Sequence, residues 1–267
     1  MTPDPVAFLD SGVGGLPYLA HARSYLAGYR LVYVADREHF PYGEKTRAQV
    51  IDAALEVTER LVRRERPRLV VVACNTMSVV ALAELRSHFS VPFVGVVPAV
   101  KPAATLSRLK RVGVLATRRT VEGDYLRELI QRHASGCSVV SLSSASLVEF
   151  VEKGLPTATQ EERQARVRTE VDRFTSEGID ALVLGCTHFL HLEAEFRVLL
   201  QQNAIQLVDS RDGVSRQALR LLRSREPAAA VGKPPGHDSL YVTGPRPRLD
   251  GYPWFASHYG LALEEEL

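Results

Sequence analysis

Leu69-Val-Val-Val-Ala-Cys-Asn-Thr76 and Ala181-Leu-Val-Leu-Gly-Cys-Thr-His188 decide the fold. Each is an apolar run too short for a helix and apolar at every position, as a parallel strand covered on both faces must be. Each then breaks into a Cys-containing polar turn, and an amphipathic stretch follows. Outward from these two turns the chain repeats the pattern. Strands are expected at 6–9, 31–35, 69–73, 93–97, 112–116, 138–142, 181–185 and 205–208, with helices at 47–65, 78–88, 120–132 and 160–177. A last strand at 239–243 follows a Pro/Gly-rich loop at 233–237, and a short helix closes the chain. Strands alternating with crossover helices make an α/β protein with mostly parallel central sheets.

The two turns are an internal echo. Upstream of each, another strand end carries small or polar residues: Asp10-Ser-Gly-Val-Gly-Gly15 and Ala116-Thr117. Two pseudo-symmetric α/β domains, each with one Cys turn at the carboxyl ends of its strands, would bring both cysteines to an interdomain cleft, where open parallel sheets place their ligands. The boundary is expected near Pro98. The first domain is then discontinuous, 1–98 with 210–267 and carrying Cys74, and the second is 99–209 with Cys186.

Composition narrows the function. The 267 residues are 45% hydrophobic and 24% charged with a formal charge of +2, which gives no reason to expect nucleic acid as a partner. No stretch approaches the roughly 20 apolar residues of a membrane span, and the N-terminus lacks a basic, apolar signal pattern. A cytoplasmic protein is expected. Three cysteines, an odd number, argue against a disulfide framework, so each thiol needs its own account.

For a lone cysteine at the end of a core strand, packing is the simpler explanation, and Cys137 keeps it. Two cysteines at equivalent points of two repeats are harder to explain that way. A thiol pair suits one reaction in particular. The hydrogen on the Cα of an amino acid is weakly acidic, and inverting that carbon needs a base on one face and an acid on the other. A thiolate is reached near neutral pH beside a helix N-terminus or a cation. Both turns are expected to start helices, whose N–H groups favour negative charge. Together with the Asn75 amide and the Thr76 and Thr187 hydroxyls, these groups would hold a substrate carboxylate.

Rival readings stay open at this point. Cys186-Thr-His188 has zinc-like spacing but no second pair. Pyridoxal phosphate chemistry needs a Schiff-base lysine, and none of Lys45, Lys101, Lys110, Lys153 and Lys233 has a convincing setting, which favours a cofactor-free route. The turn after Asp10 fits neither the dinucleotide fingerprint nor a phosphate loop, and its glycines more simply permit close approach to a small ligand. Asp10 itself has two readings, a site carboxylate or an N-cap of the next helix.

End to end, the chain resembles bacterial glutamate racemases of the aspartate/glutamate racemase family. The resemblance rests on the segments Asp10–Leu16, Asp36 with Phe40-Pro-Tyr-Gly43, Ala73-Cys-Asn-Thr76, Gly95-Val-Val-Pro98, Leu115-Ala-Thr117, Leu184-Gly-Cys-Thr-His188 and Tyr241-Val-Thr-Gly244, in that order. It implies a cofactor-independent enzyme that interconverts L- and D-glutamate, with Cys74 and Cys186 as the proton-transferring pair. It further implies that Asp10 and His188 assist the two thiols and that Asp36 and Glu152 have supporting roles. The substrate contacts implied are Asp10, Ser11, Tyr42, Gly43, Asn75, Thr76, Thr187 and His188, with no metal. The role implied is supply of D-glutamate for peptidoglycan, and homodimers are frequent in such enzymes. Met77, Leu190, Arg119 and Asp124 depart from the family pattern, and Met77 is expected to narrow the pocket. No activation by a cell-wall precursor is expected, because the N-terminal extension used for it in some relatives is lacking. An aspartate racemase and a low-turnover amino-acid-binding relative are the alternatives.

Overall fold

The computed structural model describes residues 4–225, 236–244, 251–264 and 267. Its strands are β1 (Val6–Asp10), β2 (Leu31–Ala35), β3 (Leu69–Val72), β4 (Phe93–Gly95), β5 (Arg111–Ala116), β6 (Ser138–Ser143), β7 (Ala181–Leu184), β8 (Gln206–Val208), β9 (Ser239–Val242) and β10 (Ala262–Leu263). They form two sheets, in the orders β10-β9-β2-β1-β3-β4 and β6-β5-β7-β8. Every pairing in both is parallel. The chain divides into two compact units, Met1–Val96 with Arg211–Leu267, and Val97–Ser210, so each sheet belongs to one unit.

In the first unit, alternate strand residues take opposite faces, as a period of two requires. Ala7, Leu9, Val32, Val34, Val70 and Val72 join one cluster with Val50, Ala54, Val57 and Leu61 of the helix Arg47–Glu65, and with Met77, Ala81 and Leu85 of the helix Asn75–His88. The alternating partners Val6, Phe8, Tyr33 and Val71 are equally buried on the other side of the sheet. At about 1.5–3 kcal/mol for each fully buried aliphatic side chain, these two layers dominate the unit's stability. The second unit is built the same way around Val112, Val114, Ala181 and Val183. Its outer strand β6 is only partly covered, which fits an edge position.

Some expected boundaries hold and others move, each for a local reason. The helix Arg47–Glu65 starts where Thr46 and Gln49 form a reciprocal capping box, and Gln160–Thr175 starts on a second box from Thr159 and Glu162. The helix expected at 120–132 is two, Arg118–Glu122 and Asp124–His133. Gly123 between them is extended, and a Cβ there would lie 2.9 Å from the Arg119 carbonyl oxygen. β4 stops at Gly95, shortly before Pro98, which has no N–H to offer a ladder. The closing helix Tyr252–His258 is followed by an unforeseen strand, β10, that pairs with β9. Lys233, in the Pro/Gly-rich loop, lies outside the described residues. Among the described residues no helix is long and apolar enough to cross a membrane.

Candidate active site

In the first sheet β2 and β3 flank β1, and in the second β6 and β7 flank β5. Both sheets therefore reverse direction after their first strand, and a crevice opens at the carboxyl ends of the two strands that part there. Asp10 ends β1 and Cys74 follows β3 by two residues; Thr117 follows β5 and Cys186 follows β7 by two. The two cysteines thus occupy the same topological position in their own units.

Around Cys74 the turn is tightly made. Cys74 is the N-cap of Asn75–His88, and its Sγ accepts the Met77 N–H at 3.5 Å. Ser11 Oγ lies 4.0 Å from the same sulfur and 3.1 Å from Asp10 Oδ1, and the Ser11 N–H donates to that carboxylate at 2.5 Å. Asp10 is fully buried. It does not cap the next helix, which begins at Leu16 with Gly15 as its cap, so the capping alternative is excluded. Gly15 is required by packing. A Cβ on Gly15 would meet the Ala73 Cβ at 2.6 Å, and Tyr33 Oη bridges the turn by donating to the Gly12 carbonyl and accepting from Gly15 N–H.

Asn75 and Thr76 begin the helix and are buried, yet among the described residues neither Oδ1 nor Nδ2 of Asn75 has a hydrogen-bond partner. A buried amide left unpaired costs about 1–3 kcal/mol, and such an exception calls for an explanation, a ligand's polar groups being one. The Met77 side chain is fully buried in the core cluster that also holds Cys74 and Tyr42. Its backbone N–H also contributes to the turn, as the donor to the Cys74 sulfur.

Asp36, also fully buried, is a hub. Its Oδ2 accepts from Tyr42 Oη at 2.5 Å, its Oδ1 from Thr243 Oγ1 at 2.7 Å, and His39 Nδ1 lies 2.9 and 3.1 Å from the two oxygens. Burial and then the neighbouring Asp36 carboxylate push the Tyr42 phenol far above its ordinary range, so its hydroxyl stays a donor to Asp36. Tyr42 and partly exposed Gly43 open a short helical turn, whose first N–H groups have no partner within the turn. His39 was not singled out from sequence; its three-residue spacing from Asp36 is the signal that carries it.

The second unit solves the same position differently. The turn after Cys186 is a 3₁₀ segment, Thr187–Leu192, and the α-helix begins only at Glu193. Among the described residues Cys186 Sγ receives no capping N–H. Both sulfurs thus sit at helix N-termini as expected, but Cys74 caps an α-helix through its sulfur and Cys186 precedes a 3₁₀ helix without doing so. Instead His188 Nδ1 lies 3.8 Å from Cys186 Sγ, and His188 Nε2 lies 2.7 Å from Glu152 Oε1. All three residues are buried, as is Thr187. Burial works against a charged imidazole, but the hydrogen bonds to Cys186 and Glu152 and their charges prevail, and His188 is held well above its ordinary pKa. Glu152 comes from a π turn, Phe150–Gly154, that widens the end of the helix Ala145–Glu149. The counterpart of Asp10-Ser11 is Thr117, whose Oγ1 accepts from Thr120 N–H at 3.4 Å. Leu190 is buried, and Cys137 packs against the second unit's core. Among the described residues no group of three or more His, Cys, Asp or Glu could hold a metal ion.

The model of the Asp/Glu/hydantoin racemase family matches residues 18–214 of this sequence. The chain belongs to that family. Its relatives in the family include the glutamate racemase of Treponema pallidum, 41% identical over 257 residues, with 96% of this chain and 93% of that one covered. The glutamate racemase of Pectobacterium atrosepticum is 42% identical over 219 residues, covering 81% and 76%. Among solved members of the family, the Escherichia coli glutamate racemase in complex with L-glutamate and the activator UDP-MurNAc-Ala superposes with a TM-score of 0.89 at 36% identity, covering 99% of this chain and 98% of that one. The Thermus thermophilus enzyme, in complex with β-chloro-D-alanine, gives 0.70 at 27% identity, covering 100% and 98%. Membership of this racemase family makes the chain an amino-acid racemase, an isomerase.

Proposed function

We propose that this chain is a cofactor-independent glutamate racemase working by two-base proton transfer. The observation that carries the reading is the equivalent placement of Cys74 and Cys186 after the third strand of two sheets whose first four strands share one order, second-first-third-fourth, each sulfur beside its own buried polar partner. Similarity over nearly the whole chain to relatives named glutamate racemase supports glutamate as substrate.

In this mechanism one thiolate removes the Cα proton, forming an S–H bond as the electron pair moves into the substrate's carboxylate. The opposite thiol then gives up its proton to the other face of the carbon and is left as thiolate. The chemistry requires both sulfurs to reach one carbon from opposite sides. Asp10, through Ser11, would serve Cys74, and His188 would serve Cys186, with Glu152 fixing the imidazole. Asn75, Thr76 and Thr187, with the first N–H groups of their turns, would hold the substrate's carboxylate oxygens; Asp10 and Ser11 would meet its ammonium group. Tyr42 spends its hydroxyl on Asp36, so it and Gly43 would contact substrate through backbone N–H groups, and Asp36 would support them. D-glutamate formed this way would serve peptidoglycan synthesis.

The test is incubation with single amino acids in D2O, following loss of the Cα proton signal and optical rotation. Exchange with inversion of glutamate is the expected result. Inversion of aspartate instead would reassign the substrate, and no exchange with any amino acid would overturn the reading.

A further inference from the structure

Glu170 is a buried carboxylate that the mechanism above does not use. It sits on the helix Gln160–Thr175, and its Oε1 accepts from Ser144 Oγ at 2.6 Å. Ser144 follows the last residue of β6 and is the N-cap of Ala145–Glu149, accepting the Leu147 N–H at 3.3 Å. That helix runs directly into the π turn that presents Glu152 to His188. On the same face of Gln160–Thr175, four residues before Glu170, the Arg166 guanidinium lies 5.2 Å from the centre of the Phe150 ring, the first residue of the π turn. Arg173 completes the arrangement by pairing with Glu170 Oε2 at 2.7 Å and donating to the Ser143 carbonyl at 3.3 Å.

We propose that Glu170 is a positioning residue: through Ser144 it fixes the start of the helical segment whose π turn sets Glu152 against His188. A carboxylate is a stronger acceptor than a neutral group, so it holds the Ser144 hydroxyl in one rotamer and leaves its oxygen lone pairs for the cap. Cap and π turn are then clamped by one helix at two points, Ser144 and Phe150. A π turn lacks the regular i to i−4 ladder that would otherwise fix its carbonyls and side chains, and an external clamp supplies that rigidity. Sequence position corroborates the logic. Ser144 follows the second strand of its sheet as Asp36 follows the second strand of the other, and Asp36 likewise holds the loop that comes after it.

This inference rests on the reading of Cys186 and His188 as one half of the racemising pair, so its test has a readout independent of turnover. Ser144→Ala, Glu170→Ala and Glu170→Gln would be prepared with ¹⁵N-labelled histidine, the His188 ring signals being assigned by their loss in His188→Asn. In the unsubstituted protein the His188 ring should remain protonated well above the ordinary histidine range. In Ser144→Ala and Glu170→Ala its titration midpoint should fall toward that range, and kcat should fall about tenfold or more with KM changing less than about twofold, as expected for a misplaced rather than missing group. Glu170→Gln keeps an acceptor for Ser144 and should restore most of both. Folded variants with an unshifted His188 titration would overturn the proposal even if they were slower, and so would a Gln variant as impaired as the Ala variant. If Glu170→Ala does not fold, Ser144→Ala decides. Should the unsubstituted protein racemise nothing while the titration moves as described, the proposed function fails and the positioning role stands.

Discussion

His188 stands between Cys186 and Glu152, with one ring nitrogen 3.8 Å from the sulfur and the other 2.7 Å from the carboxylate. Beside Cys74 a serine hydroxyl and a helix N–H approach the sulfur. In the proposed mechanism the two thiolates would be stabilised by different means, and their responses to substitution and pH should differ.

The first consequence concerns stability against pH. In the folded chain His188 is held well above the value of 6.5 taken for a free histidine, because its bonds to Cys186 and Glu152 overcome the opposing effect of burial. Between about 6.5 and the raised folded value the native state binds one more proton than the unfolded state. Its stabilisation is thus complete below about 6.5 and is lost as pH rises through the folded pKa. Urea midpoints measured from pH 6 to 9 should decline more steeply for the unsubstituted protein than for His188→Asn. Parallel slopes would show that the ring is neutral in the native state.

Cys74→Ala and Cys186→Ala should each reduce racemisation by about a thousandfold or more, within the range general acid–base groups supply. One thiol remains in each variant, so each should still exchange the Cα hydrogen of one enantiomer without inverting it. The enantiomer should differ between the two. Proton NMR in D2O on separate L- and D-glutamate reads both outcomes, and the same enantiomer exchanging in both variants would rule out transfer on opposite faces.

Asn75→Ala separates function from stability. Its amide is buried without a partner among the described residues, so removing it deletes a desolvation cost along with the packing of a small side chain. The melting temperature should stay level or rise, while KM for substrate rises about tenfold through the loss of one or two hydrogen bonds. A drop of several degrees with KM unchanged would make the residue structural.

Tyr42→Phe leaves one oxygen of Asp36 without its 2.5 Å donor. A hydrogen bond to a charged group contributes about 1.5–3 kcal/mol, and the urea midpoint should fall accordingly. Because the hydroxyl reaches Asp36 and not substrate in this arrangement, KM should move more than kcat. A kcat loss at constant KM would place the phenol at the reacting carbon instead.

Gly15→Ala should destabilise by about 1–3 kcal/mol, since the new methyl would lie 2.6 Å from the Ala73 Cβ and 2.9 Å from its carbonyl oxygen. The displaced neighbour precedes Cys74, so kcat should fall as well. Unchanged thermal unfolding would mean that the two turns can separate at little cost.

What could be read in the sequence follows from how local each cause is. The helix Arg47–Glu65 was legible to the residue because its capping box and apolar spacing are local. Uninterrupted apolar runs likewise marked β3 and β7 within one residue. The split at Gly123 depends on one glycine in an otherwise continuous helical pattern and was not foreseen. The two Cys turns look alike in sequence, yet one begins an α-helix and the other a 3₁₀ segment, a difference that Asn-Thr-Met against Thr-His-Phe does not declare. Asp36 meets Thr243 across 207 residues, and Glu170 meets Ser144 across 26. Such pairings arise from tertiary packing, and no periodicity in the chain announces them.

The division of the chain also orders its biosynthesis. β2 in the first unit has β9 as its outer neighbour, and β9 lies beyond all of the second unit. During translation the continuous second unit emerges whole while the outer edge of β2 is still bare, and an unpaired strand edge is the feature most prone to wrong association. Ribosome-bound chains ending near residue 210 would therefore carry a finished second unit attached to an open sheet, and the strand that closes it, β9, comes only at Ser239–Val242.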